Sequence, residues 1–123
     1  MTLNGTDAND GTVYNDWVMM DASETSDGSN GNMSIYEDNS TDLEFAVSWS
    51  KNADGSTYLE FTTYGENGMK ITVTANADQT GSLEMYEYNN GEYVKTMKIT
   101  WTSTGGEWWE YDSQGNVSDH GSF

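Results

Sequence analysis

The chain has 123 residues, no cysteine and no proline, and its 21 acidic residues against four lysines and no arginine give a formal net charge of −17. That charge repels phosphates and anionic lipid, so nucleic acid is not an expected partner. Five tryptophans, eight tyrosines and three phenylalanines are too many for a disordered chain, and the length suits one domain with a core that needs no disulfides.

Residues 1–11 are polar, with Asn4-Gly5 and Asp10-Gly11, and read as a flexible leader before a single domain over 12–123. Val13 to Met20 reads as a first strand with poor alternation. Asp21 to Asn32 holds Ser23, Ser26, Asp27, Gly28, Ser29, Asn30 and Gly31, so it reads as the longest loop, with a short strand around Met33 to Glu37 after it. From Leu43 the alternation sharpens. Leu43, Phe45, Val47 and Trp49 point one way, and Glu44, Ala46, Ser48 and Ser50 the other. Leu59 with Phe61, then Met69 through Ala75, then Leu83 with Met85, continue the apolar face. Tyr93, Met97, Ile99 and Trp101 form another such row, interrupted by Lys95.

Turn signals separate these runs: Asn52-Ala53-Asp54-Gly55, Glu66-Asn67-Gly68, Asn76 through Gly81, Asn89-Asn90-Gly91, Ser103 through Gly106 and Asp112 through Gly115. Short connections between alternating runs make sequence neighbours pair as antiparallel hairpins. The expected fold is therefore all-β: an antiparallel up-and-down meander of about eight or nine strands, as a small barrel or a two-layer sandwich. Either solution buries one face of each strand. It also assigns Trp49, Trp101, Phe45 and Phe61 to the interior.

The final segment, Trp101 to Phe123, carries Gly106-Glu107-Trp108-Trp109-Glu110-Tyr111-Asp112-Ser113-Gln114-Gly115-Asn116 and ends in Gly121-Ser122-Phe123. This pattern resembles a C-terminal hairpin common in small bacterial cell-envelope lipoproteins. The resemblance implies an exported, lipid-anchored domain with a lipocalin-like or related meander, and it carries over no catalytic residue.

Several constellations could hold chemistry. His120 is the single histidine and lies three residues from the end, so it reads as a surface residue; with no cysteine, a zinc or copper site is not expected. Glu84 with Glu87, and Glu107 with Glu110, are three apart and point to opposite faces of a strand, which makes neither an acid–base pair. Asp21, Glu24 and Asp27, and separately Asp7 with Asp10, offer clustered oxygen ligands in loops and form the calcium candidates, although neither matches an EF-hand spacing. Tyr86 and Tyr88 share a face opposite Leu83 and Met85. Trp108 and Trp109 are adjacent, so one of them must face out. These four aromatics are the expected ligand-binding residues, able to stack on sugars or contact a protein.

The functional expectation is a non-enzymatic β domain that binds a small apolar or carbohydrate ligand or a protein partner. The alternative is an acidic decoy that presents carboxylates to a basic partner site as a nucleic-acid mimic. No run of about 18 apolar residues is present, so no membrane insertion is expected. Residues 1–7 lack the basic start and apolar stretch of a signal peptide. The preferred reading is a mature periplasmic, cell-surface or extracellular region whose signal lies outside this sequence, with a cytoplasmic chain as the alternative.

Overall fold

The computed structural model describes all 123 residues. It contains β1 (Thr2–Thr6), β2 (Val13–Val18), β3 (Met20–Glu24), β4 (Asn30–Tyr36), β5 (Leu43–Lys51) and β6 (Thr57–Thr63). The remaining elements are β7 (Met69–Ala75), β8 (Gly81–Asn89), β9 (Glu92–Thr102), β10 (Gly105–Tyr111) and β11 (Val117–Ser122). Every strand pair is antiparallel. Strands β3 to β11 form one nine-stranded sheet in strict sequence order, and β1 and β2 form a separate hairpin. The all-β meander expected from the turn ladder is therefore present.

The sheet is neither closed nor doubled over. Strands β3 and β11 remain at opposite edges, and substantial contacts run only between strands adjacent in the sheet. The register explains the open form. One row runs Gly31, Trp49, Leu59, Val73, Leu83, Ile99, Trp108 and Gly121 across eight strands. It crosses β5, β6, β7 and β8 two residues from the same end of each, at Lys51, Thr57, Ala75 and Gly81. Successive hairpins thus return to the same line. A barrel needs strand stagger that accumulates around the sheet, and these hairpins accumulate none.

A single layer has no interior. Only three of 123 residues are buried, none of them a large apolar side chain, and the polar pair among them is Ser56 and Thr62. The tryptophans expected inside are half-buried on one exposed face.

Two readings change in detail. The long loop expected from Asp21 to Asn32 is instead β3, a tight turn over Thr25–Ser29, and the start of β4. Its polar residues lie at an edge hairpin, where a strand needs no apolar alternation. In β9 a bulge between Met97 and Lys95 places Tyr93 opposite Tyr88 and Lys95 opposite Tyr86. The extra residue, Thr96, reverses the side-chain parity, so Tyr93 and Lys95 leave the face of Met97. That bulge accounts for the lysine that interrupts the apolar row. A second register shift sets Leu43 opposite Tyr36, out of line with Phe45.

Residues 1–11, read as a leader, contain β1. The β1–β2 hairpin is tied to the sheet margin: the Tyr36 amide donates to Met19 O at 3.1 Å and Trp17 Nε1 donates to Ser40 O at 2.9 Å.

Three turns at one end of the sheet share one design. Asp27, Asp54 and Asp78 each accept the amide and the hydroxyl of the residue two positions on, Ser29, Ser56 and Thr80, at 2.6–3.0 Å. These bonds favour the charged carboxylate. The Ser29 amide and the Thr25 and Ser29 hydroxyls draw Asp27 down to about 2. Asp54 and Asp78 are lowered chiefly by the Ser56 and Thr80 hydroxyls. At the opposite end Asp112 is lowered by the amides of Asn116 and Gln114.

Candidate functional site

The two faces of the sheet differ in chemistry, and strand alternation assigns each side chain to one of them. The apolar face carries Met33, Val47, Trp49, Leu59, Phe61, Ile71, Val73, Leu83, Met85, Met97, Ile99 and Trp108 in register. Phe45 and Phe61 meet edge to face at 4.7 Å. Leu59 at the middle of this face is 39% exposed. Nothing in the chain covers it.

The tryptophans on this face lie across glycines of the neighbouring strand. A Cβ built on Gly31 would fall 2.0 Å from Trp49 Cζ2, one on Gly81 2.2 Å from Trp101 Cζ2, and one on Gly121 2.7 Å from Trp108. Phe123 covers Gly106 in the same way, at 2.4 Å. Each ring replaces the packing that its glycine lacks. In the sequence Gly81 and Gly106 read as turn residues, Gly31 as part of a loop and Gly121 as part of the C-terminal hairpin pattern. Only the hairpin register, which sets each opposite an aromatic, reveals their role.

The polar face holds three of the four lysines: Lys70, Lys95 and Lys98. Lys95 Nζ bonds Glu84 Oε1 at 2.5 Å, and Tyr86 donates to Glu84 Oε2 at 2.6 Å. Partial burial alone would push the Glu84 carboxyl up, but the bonds from Lys95 and Tyr86 outweigh it and hold the group below its ordinary range. Partial burial likewise opposes the Lys95 charge, yet Glu84 raises it. Burial and the Glu60 carboxylate push the Tyr58 hydroxyl up to about 12. Lys70 sits over the Tyr86 ring at 4.6 Å, and Trp109 stacks on His120 at 5.0 Å with Lys98 above it at 5.8 Å. Glu84, Lys95 and Tyr86 thus satisfy one another on this face.

The four aromatics expected to bind ligand are split between faces. Tyr86, Tyr88 and Trp109 lie on the polar face, where Tyr88 is 38% exposed and packs edge to face on Tyr93 at 5.3 Å. Trp108 lies on the apolar face over Gly121. Trp109 stacks on His120, and Tyr86 donates to Glu84 with Lys70 over its ring.

The calcium candidates do not converge either. Asp21 lies opposite Ser34 and accepts the Tyr36 hydroxyl at 2.9 Å, whereas Glu24 lies opposite Gly31 on the other face. Asp27 Oδ1 accepts three bonds within its own turn, from the Thr25 and Ser29 hydroxyls and the Ser29 amide. No group of three or more acidic or histidine side chains gathers at one point in the structure.

The largest cleft, about 760 Å³, opens between the β1–β2 hairpin and the β3–β4 margin and includes Trp17, Asp16, Asp21 and Tyr36. Its Trp17 N–H and Tyr36 O–H are already bonded to Ser40 and Asp21. The cleft depends on where the hairpin docks, which no local pattern encodes.

No protein-family model, no curated protein and no solved structure matches the chain.

Proposed function

We propose that the protein is a non-catalytic interaction domain that docks onto a protein surface through the apolar face of its nine-stranded sheet. The observation that carries this reading is that the face spans the whole sheet and no large apolar side chain in the chain is buried. A continuous exposed apolar surface of that extent marks an interaction site, because water penalises it in the isolated chain. The position of the charges fits. The central strands β6 and β7 carry no ionised group on this face, while Glu24, Glu87, Glu110 and Asp119 sit at its margins. An apolar centre with a polar rim is the usual anatomy of a protein interface.

The decoy reading is weaker on the same ground. Its acids would have to form one continuous patch, but many sit in turns at both ends of the sheet and the polar face carries lysines among its acids. An exported setting suits a chain of this charge, and the same docking face would serve there.

The test is site-specific photo-crosslinking with benzoylphenylalanine in place of Val73 on the apolar face, or of Thr72 on the polar face. Crosslinked product from position 73 and not from position 72 is expected. Equal yields from both, or product from 72 alone, would refute the assignment of the face.

A further inference from the structure

Resting on that docking face, we infer that its occupant is a second copy of the chain, and that the working unit is a two-fold sandwich with its core between the two sheets.

Area is the first argument. Nine strands about 4.8 Å apart span about 38 Å, and about seven residues at about 3.3 Å span about 23 Å, so each face covers about 900 Å². Pairing two faces would bury about 1,800 Å², inside the range of about 1,200–2,000 Å² for stable, specific interfaces.

Shape is the second argument. Trp49, Trp101 and Trp108 cover Gly31, Gly81 and Gly121, and β5 to β8 end in line on one side, so the rings fill the gaps that the glycines leave and the apolar face is continuous. Two such faces stack about 10 Å apart with their strands rotated by about 30°. Two copies of the same twisted face pack in this aligned way. A two-fold axis through its centre brings the same patch of each copy together, as isologous dimers require. Strand β7 is the middle strand of nine, so full overlap sets Val73 near the axis.

The third argument is the missing core. A chain of 123 residues is long enough to bury a core of its own, yet only three residues are buried. Sandwich pairing gives both copies an interior from apolar rows already aligned within each sheet.

Charge sets the salt dependence. Each copy carries −17, so the dimer forms against repulsion between two like-charged molecules. Added salt screens that repulsion and strengthens the dimer. A complex with a basic partner would respond in the opposite sense.

The experiment is sedimentation equilibrium of the purified wild-type chain from about 1 to 100 μM, at low and high NaCl. The lower limit matches the micromolar affinities found at the weak end for interfaces of this size. The expected result is a species of twice the chain mass, with a dissociation constant that falls as salt rises. Val73→Asp should weaken the dimer about 100-fold, because it leaves a charge unpaired in the interface centre. Thr72→Asp, one residue away on the other face, should leave it intact. Because the chain has no cysteine, Val73→Cys offers a second readout: a short bis-maleimide should link it into covalent dimers, and Thr72→Cys should not react this way.

A wild-type chain that is folded and monomeric at 100 μM overturns the proposal, as does a dimer equally sensitive to both aspartates. The docking reading survives a monomeric result if position 73 still crosslinks selectively to a different protein. It fails along with the dimer if position 73 captures nothing.

Discussion

Replacing Gly31 with alanine tests the claim that aromatic rings laid over glycines hold this sheet together. The new Cβ would lie 2.0 Å from Trp49 Cζ2 and 2.5 Å from Cε2, so the ring must swing away. Overpacking of that kind costs about 1–3 kcal/mol. Alanine regains about 0.5–1 kcal/mol over glycine in a strand through the smaller loss of backbone freedom. Taken at mid-range, the two effects leave a net destabilisation of about 1 kcal/mol. With a urea slope of about 1–1.5 kcal/mol per molar for a chain of this size, the unfolding midpoint should drop by about 1 M. Tryptophan fluorescence in a urea titration at fixed protein concentration reads it. The double variant Gly31→Ala/Trp49→Val removes the clashing ring, so its loss should fall short of the sum of the single losses by about 1 kcal/mol. If Gly31→Ala matches or exceeds the wild-type midpoint, or the two changes simply add, the ring is not packed on that glycine and the reasoning fails.

Ser56→Ala should cost about 1–2 kcal/mol, because the buried hydroxyl accepts from Asn52 Nδ2 at 2.9 Å and donates to Asp54 at 2.7 Å. Exposed Ser118→Ala, in the same urea titration, should stay within about 0.5 kcal/mol of wild type, and equal effects would refute the distinction. Lys95→Met should cost less than about 1 kcal/mol, since solvent screens a pair whose side chains are 32% and 24% exposed. That contribution is present above the unfolded carboxyl value of about 4.3, where Glu84 is held charged, and is lost as pH falls through its lowered folded value. It is also lost as pH rises past about 10.4 through the raised value of Lys95, so wild type and variant should converge at both extremes. The turn aspartates set the acid limit. Asp27, Asp54, Asp78 and Asp112 have folded values below their unfolded ones, so they stabilise above about pH 4, and that stability is lost as pH falls through those lowered values, about 2 for Asp27. Acidification from neutral pH also relieves the self-repulsion of the −17 chain. The melting temperature should thus pass through a maximum at about pH 4–5, and a monotonic rise to pH 2 would contradict the role given to these turns.

The local grammar of the chain was readable from its residues. Period-two alternation from Phe45 to Trp101 assigns Val47, Trp49, Leu59, Phe61, Ile71, Val73, Leu83 and Met85 to one face, and the structure keeps them there. Turn signals marked the hairpins from β5 to β11, because glycine, asparagine and aspartate set backbone conformation within four or five residues. The strands before Leu43 were less legible. Met20–Glu24 lies at a sheet edge, and edge strands need not alternate. Among the candidate ligand residues, the opposed faces of Trp108 and Trp109 followed from adjacency alone. The engagement of Tyr86 with Glu84 and of Trp109 with His120 did not, because those partners come from side-chain geometry and a neighbouring strand.

From Phe45 onward, sequence alone determined the strands and, outside the β9 bulge, which of their side chains share a face, because both follow from the short-range geometry of the extended chain. Only the tertiary structure decided that the sheet stays open. Closure depends on stagger summed over nine strands, and no single turn reveals the total. The same summation sets glycines beneath tryptophans and leaves one apolar face for another molecule to cover.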